Sequence, residues 1–271
     1  MKIIEKSCYF LENNVSFCKM LNILQIHTKE GKMKKIGIIG AMDVEIDYLR
    51  SLMEKNSENS VKKTEAGSIV FLEGKIHGKN VVLVRSGIGK VNAALCAQRL
   101  ILQFGCTNVI NTGIAGAMAY GLGVMDFVVS SDCVYHDMDA TGFGYKIGQI
   151  PQMNVYAFPA DRKMIEACKK AFSESEEAKG HKMIEGRIAT GDQFVSEKVK
   201  KAKIAADVNP ACVEMEGTAI AHACYLNKTP FVILRCMSDM ADDLSSNGYD
   251  FNEEIAAKLS AKICENVVVQ L

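Results

Sequence analysis

The chain has 271 residues, with 32 basic and 32 acidic side chains and no formal net charge at neutral pH. A hydrophobic share of 48% and a charged share of 24% exclude a disordered or fibrous protein, and a chain this long buries roughly 75% of its unfolded surface. Balanced charge without a Lys/Arg run points away from nucleic acid and anionic membranes, which attract a concentrated basic patch, and towards a small-molecule partner.

Residues 1–32 mix Lys, Asn and apolar side chains without a period, whereas Lys34-Lys35-Ile36-Gly37-Ile38-Ile39-Gly40 opens a buried strand. Met33 stands directly in front of that strand. Residues 1–32 therefore read as an over-extended gene start or a loosely attached arm, and residues 33–271 as one domain. A helical pattern follows over about 43–56, then two or three strands through Ser68–Leu72 and Val81–Val84 with a turn at His77-Gly78-Lys79-Asn80. The spacing next predicts a helix over about 89–104, a strand at Asn108–Asn111, a Gly-rich turn, and a strand at Phe127–Ser130. Helices near 161–177, 197–206, 216–227 and 252–270 alternate with strands near 184–190, 212–215 and 231–237. That alternation is the pattern of an α/β layer fold.

The ten Cys form no CxxC pair and no Cys-His cluster with zinc-like spacing. Cys96, Cys168, Cys224 and Cys264 sit inside helical patterns, where a Cys acts as a small buried apolar residue. Lys2, Glu5, Lys6, Glu12, Asn13 and Asn14 interrupt the apolar run that an export signal needs, and no stretch approaches the ~20 apolar residues of a membrane span. A reducing cytoplasm is the expected location.

Ligands in α/β folds gather where strands end and helices begin. Four such places carry unusual chemistry. The first is Gly40-Ala41-Met42-Asp43-Val44-Glu45, whose glycines lack the spacing of a dinucleotide fingerprint and whose acids are also ordinary in a first helical turn. The second is Arg85-Ser86-Gly87-Ile88-Gly89-Lys90 with Asn111-Thr112-Gly113-Ile114-Ala115-Gly116, where backbone N–H groups can approach a ligand. In the third, Glu214-Met215-Glu216, the two carboxylates are either helix-start acids or a grip on a sugar diol. The fourth is the strand ending in Arg235-Cys236-Met237-Ser238-Asp239, where Asp239 is either a helix cap or a chemical group.

Taken in order with Tyr135-His136-Asp137, Phe143-Gly144-Tyr145 and Gly191-Asp192, these segments closely resemble the 5′-methylthioadenosine/S-adenosylhomocysteine nucleosidase family, within the purine and uridine phosphorylase superfamily. The resemblance covers residues 33–271. It implies a single-domain three-layer α/β/α sandwich with a twisted mixed central sheet, and hydrolysis of an adenine nucleoside without metal or cofactor. The family's catalytic roles fall on Asp239, the acid that protonates adenine near N7, and Glu45, the base that activates water. Glu216 would bind the 2′- and 3′-hydroxyls, while Arg235 and Ser86 hold water and ribose. Phe194 would stack on adenine and the Val195 backbone would read its edge. Met42, Met215 and Phe251 match the family's alkylthio slot. The family's dimer loop places Phe143 and Pro151 in the partner's site, so a homodimer is expected. His136-Asp137-Met138-Asp139 has no further ligand cluster to make it a metal site.

Asp43 and Val44 stand where the family often has Glu, Ile114 replaces a commonly small residue, and Ala140 and Gly142 alter the dimer loop. These departures leave open the ranking of methylthioadenosine, adenosylhomocysteine, 5′-deoxyadenosine and aminodeoxyfutalosine. A phosphorylase on the same fold is the nearest rival reading, but such enzymes place an Arg where this chain has Asn111, and Glu45 would repel phosphate. A non-catalytic nucleoside-binding protein is a second rival, which could dispense with Glu45 and Asp239. A chain beginning at Met33 is expected to keep its melting temperature and activity. A large loss of either would show that the preceding residues pack on the domain.

Overall fold

Alternation of apolar side chains along the strands creates two cores, one on each face of a mixed sheet. The computed structural model describes residues 34–55, 61–242 and 246–271. The expectation for residues 1–32 lies outside the described residues.

Strands β1 (Lys35–Gly40), β4 (Lys79–Arg85), β5 (Asn108–Ala117) and β10 (Phe231–Asp239) are parallel neighbours in the order β4-β1-β5-β10. The antiparallel strands β3 (Ile69–Ile76) and β2 (Lys62–Ala66) extend one edge. On the other side β10 pairs with β6 (Phe127–Tyr135), β6 with β8 (Met183–Thr190), and β8 with β9 (Cys212–Glu214), which returns to the end of β5. The sheet thus curls into a ring of five strands at that end, a closure that strand counting alone does not reveal. A two-residue strand β7 (Phe158–Pro159) pairs with β6.

Successive residues of a strand face opposite sides. Ile39, Val109 and Ile233 enter the core under helices α2 (Lys90–Leu102) and α5 (Gly217–Leu226), with Ala93, Cys96, Leu100, Ile220 and Cys224. Ile38, Ile110 and Val232 enter the opposite core under α1 (Asp43–Lys55), α3 (Arg162–Ser173) and α6 (Ser246–Gln270), with Leu49, Ile165, Cys264 and Val267. A third cluster joins Val134, Ala189, Val195 and Val213 to Ile204 and Val208 of α4 (Lys198–Val208). The three-layer expectation holds. All eight described cysteines are free and buried, spread across both main cores.

The Gly-rich segment read as a turn is instead the second half of β5. Its glycines face groups that leave no room for a side chain, so the apolar periodicity that marks a strand is missing there. At the end of β10 the pairing with β5 slips, so that Met237 opposes Ala115 and Asp239 opposes Gly116. Ser238 is the inserted residue of this bulge, a distortion that re-aims the side chain beside it.

Candidate active site

A cleft of about 130 Å³ opens at these strand ends, lined by Met42, Glu45, Ile88, Ile114, Phe194, Val195, Met215, Glu216, Ser238 and Asp239 among others. Glu45, in the first turn of α1, turns back on its own loop. Its Oε2 accepts hydrogen bonds from the N–H groups of Ala41 (2.6 Å) and Met42 (3.0 Å), and its Oε1 accepts from Ile114 N–H (3.1 Å). Burial raises its pKa above the ordinary carboxylate value against the opposing pull of Arg235 and the three N–H groups.

Across the cleft, Asp239 Oδ1 accepts from Ala241 N–H at 2.7 Å and Oδ2 accepts from the Ser238 hydroxyl at 2.8 Å. The helix-cap alternative for Asp239 does not apply, because α6 begins at Ser246. Both carboxylates press on β5. A Cβ at Gly113 would lie 2.3 Å from Glu45 Oε1, and one at Gly116 would lie 2.9 Å from Asp239 Oδ1. Gly113 and Gly116 are three steps apart along β5, about 10 Å at the rise of a β-strand.

Glu216 is the residue before α5, and its Oε1 accepts from Gly89 N–H at 2.9 Å. Its pKa is pushed up to about 8, first by burial and then by the charge of Glu214, with Arg235 opposing. Behind it Arg235, 1% exposed, donates through Nη2 to Asn111 Oδ1 at 2.6 Å and to Glu214 Oε2. Arg235 Nη2 lies 3.8 Å from Glu216 Oε2, outside hydrogen-bond reach.

Several expected residues sit elsewhere. Arg235 does not line the cleft but supports its floor. Ser86 is also absent from the wall, since its buried hydroxyl donates to the Gly87 carbonyl oxygen at 2.8 Å. Asn111 is fully buried, with Nδ2 donating to the Ile39 carbonyl oxygen at 2.9 Å and Oδ1 accepting from Arg235. Met42, Met215, Phe194 and Val195 do line the cleft, with Phe194 half exposed at its mouth. Phe143 is exposed and Pro151 half-buried, and neither reaches the cleft of its own chain. The side chain of Phe251 lies outside the described residues.

Glu214 escaped the sequence reading as a separate participant, although an Arg in an otherwise apolar strand demands a buried counter-charge and so signals one. The loop carrying Phe194 is tied down at Asp192. Asp137 Oδ2 accepts from Asp192 N–H (2.9 Å) and Lys90 Nζ (2.6 Å), while Asp192 Oδ1 accepts from Lys90 N–H (2.9 Å). Among the described residues, no three His, Cys, Asp or Glu side chains gather as a metal site, and no helix is long and apolar enough to cross a membrane.

The profile of the phosphorylase superfamily matches residues 35–269. A 5′-methylthioadenosine/S-adenosylhomocysteine nucleosidase of Haemophilus influenzae (strain PittEE) is 42% identical over 238 residues, covering 88% of this chain and 100% of the relative. The chain belongs to this nucleosidase family. The crystal structure of the nucleosidase of Colwellia psychrerythraea 34H, in complex with adenine, is 41% identical with a TM-score of 0.82, covering 89% of this chain and 96% of that one. A futalosine hydrolase of Helicobacter pylori is similar at 32% identity and a TM-score of 0.81, covering 88% and 99%. The nucleosidase fold therefore hosts related reactions on the same frame, as the open substrate ranking anticipates.

Because Gly113 leaves the space that Glu45 fills, Gly113→Ala should displace that carboxylate. Steady-state kinetics should show a loss of about 10²-fold in kcat with an unchanged far-ultraviolet spectrum, the scale at which small misplacements act. A fully active variant would show that Glu45 has no required position.

Proposed function

We propose that the protein hydrolyses the bond between adenine N9 and ribose C1′ of 5′-methylthioadenosine and S-adenosylhomocysteine, and of 5′-deoxyadenosine. The products are adenine and the 5-substituted ribose, as in methionine and S-adenosylmethionine salvage. One observation carries the choice of water over phosphate: among the described residues, the cleft is lined by Glu45, Glu214, Glu216 and Asp239 and by no Lys or Arg. A phosphate dianion there would face four acids and no cation to pair with. The rival reading as a non-catalytic binding protein has no use for two carboxylates each fixed by hydrogen bonds in one cleft.

In this reading adenine stacks on Phe194 with its edge at the Val195 backbone, and Met42, Met215 and Phe251 receive the alkylthio group. Asp239 passes a proton to N7 as the C1′–N9 bond breaks, so adenine leaves neutral. Glu45 takes a proton from water as its oxygen bonds to C1′. The raised pKa of Glu45 suits a base, since the proton is held more firmly once taken. Exchange with solvent then resets both groups. The water attacks C1′ on the face opposite adenine, as in inverting glycosidases.

Adenine release from methylthioadenosine should proceed without phosphate. Asp239→Asn should lose about 10² to 10⁴-fold in rate, because the amide keeps the shape but delivers no proton. A nitrophenyl thioriboside, whose leaving group needs no protonation, should recover much of that loss. A phosphate requirement with a sugar 1-phosphate product would overturn the hydrolase reading, and absence of rescue would overturn the acid role of Asp239.

The same reading includes a homodimer and a cytoplasmic location. Val91, Leu95 and Leu102 lie on one exposed face of α2, between Ile88 before it and Leu226 at the end of α5. An apolar stripe of this kind suits a second copy of the chain, and Phe143, 86% exposed, could then enter the partner's cleft. The free, buried thiols suit a reducing compartment. Light scattering should give twice the chain mass, with Val91→Glu falling to one. A monomeric wild type would refute the dimer.

A further inference from the structure

The floor of the cleft holds one guanidinium and three carboxylates. Arg235 comes from β10, Glu214 from the end of β9, Glu216 from the start of α5, and Glu45 from α1. All four residues are buried. A buried cation of this kind satisfies one carboxylate well only when the geometry and the remaining hydrogen bonds are good. Which carboxylate takes it decides the character of the other two.

The hydrogen bonds answer that question. Glu214 Oε2 accepts from Arg235 Nη2, from Glu216 N–H at 3.0 Å and from Gly217 N–H, while its Oε1 accepts from the Thr190 hydroxyl. Four donors from β8, β10 and the α5 start converge on this one side chain, and two of them are the first free N–H groups of a helix. Among the described residues, the Glu216 carboxylate accepts a hydrogen bond from Gly89 N–H alone. The other charged groups around it are Glu45 and Glu214, which repel it, and Arg235, already engaged. Lys90, next to Gly89 at the start of α2, is paired with Asp137 and Asp192.

We propose that Glu214 is a positioning residue that takes Arg235 as its own counter-ion, caps α5 in place of Glu216, and thereby leaves Glu216 free to meet the hydroxyls of the ligand. This inference rests on the nucleoside reading above and adds the division of labour between the two acids. It carries a proton consequence. Before a ligand arrives Arg235 stands 3.8 Å from Glu216 but is hydrogen-bonded to Glu214, and the pKa of Glu216 stands above the ordinary carboxylate range because of burial and the charge of Glu214. Ribose hydroxyls donate to it and favour the charged form, so its pKa falls on binding and a proton passes to the buffer. Release is confined to the pH window between the bound and the free pKa. Affinity therefore rises with pH through that window and levels off above it, where Glu216 is already ionised in the empty protein.

The probe is the 7-deaza analogue of 5′-methylthioadenosine, which keeps the ribose hydroxyls and lacks the ring nitrogen that takes the proton. Calorimetric titration of the full chain in buffers of different ionisation enthalpy, at neutral pH, should show net proton release with the wild type. Glu214→Gln should bind the probe with that release reduced at least about twofold, because Arg235 is then available to hold Glu216 ionised before the ligand arrives. A structural role for Glu214 alone would weaken binding without changing proton release. Binding by the wild type without release would overturn the inference, as would undiminished release from a folded Glu214→Gln variant. If that variant does not fold, Glu216→Gln serves instead: it should abolish the release, and persistence there would equally overturn the assignment. Failure of the wild type to bind the probe would remove the nucleoside reading, and this inference with it.

Discussion

The contact on which the cleft depends is the ion pair between Arg235 and Glu214, whose side chains are each only 2% exposed. Removing Arg235 would leave the buried Glu214 carboxylate without its counter-ion, a cost of about 3–5 kcal/mol in comparable cases. Asn111 and Thr190 complete the arrangement by supplying one acceptor to the guanidinium and one donor to the carboxylate. Neither touches the cleft wall, yet both determine where the pair sits. The pair also links four strands, since its members and their partners come from β5, β8, β9 and β10. Curling of the sheet into a five-stranded ring brings those strands around one centre, and a flat sheet would keep β8 and β9 away from β5.

Above this floor the two proposed catalytic carboxylates lie against the backbone of β5. Glu45 and Asp239 come from opposite ends of the chain, but each is located by its fit against a glycine of the same strand. The bulge at Ser238 brings Asp239 opposite Gly116. Backbone N–H groups hold Glu45 from Ala41, Met42 and Ile114, so its place depends little on neighbouring side chains. That insensitivity explains how Ile114 can stand where a smaller residue is common in the family: its contribution to Glu45 is its N–H.

Much of this was legible from residue order. The position of Glu45 after the first strand, and of Asp239 at the end of an apolar one, follows from strand ends being where such folds bind ligands. The layer architecture followed from strands and helices alternating along the chain. Other features were not legible, for physical reasons. The second half of β5 carries glycine and alanine because carboxylates fill the space its side chains would occupy, so the strand erases its own periodicity. The bulge changes pairing by one residue and leaves no trace in composition. The direction of the Ser86 hydroxyl, which turns back to the Gly87 carbonyl oxygen, is a matter of rotamer that residue order does not carry. Glu214 and Glu216 are indistinguishable by spacing, and only their partners separate them.

The distribution of cysteines has a consequence for watching the molecule move. Cys96, Cys106, Cys133, Cys212 and Cys224 lie in the core beneath α2 and α5, whereas Cys168, Cys236 and Cys264 lie in the core beneath α1, α3 and α6. Burial raises the pKa of each thiol and keeps it in the unreactive protonated form. An alkylating reagent therefore meets one of these eight thiols only when a layer opens, and the order in which they are modified records the order in which the layers separate. The protein carries a reporter of its own local unfolding on each face of the sheet.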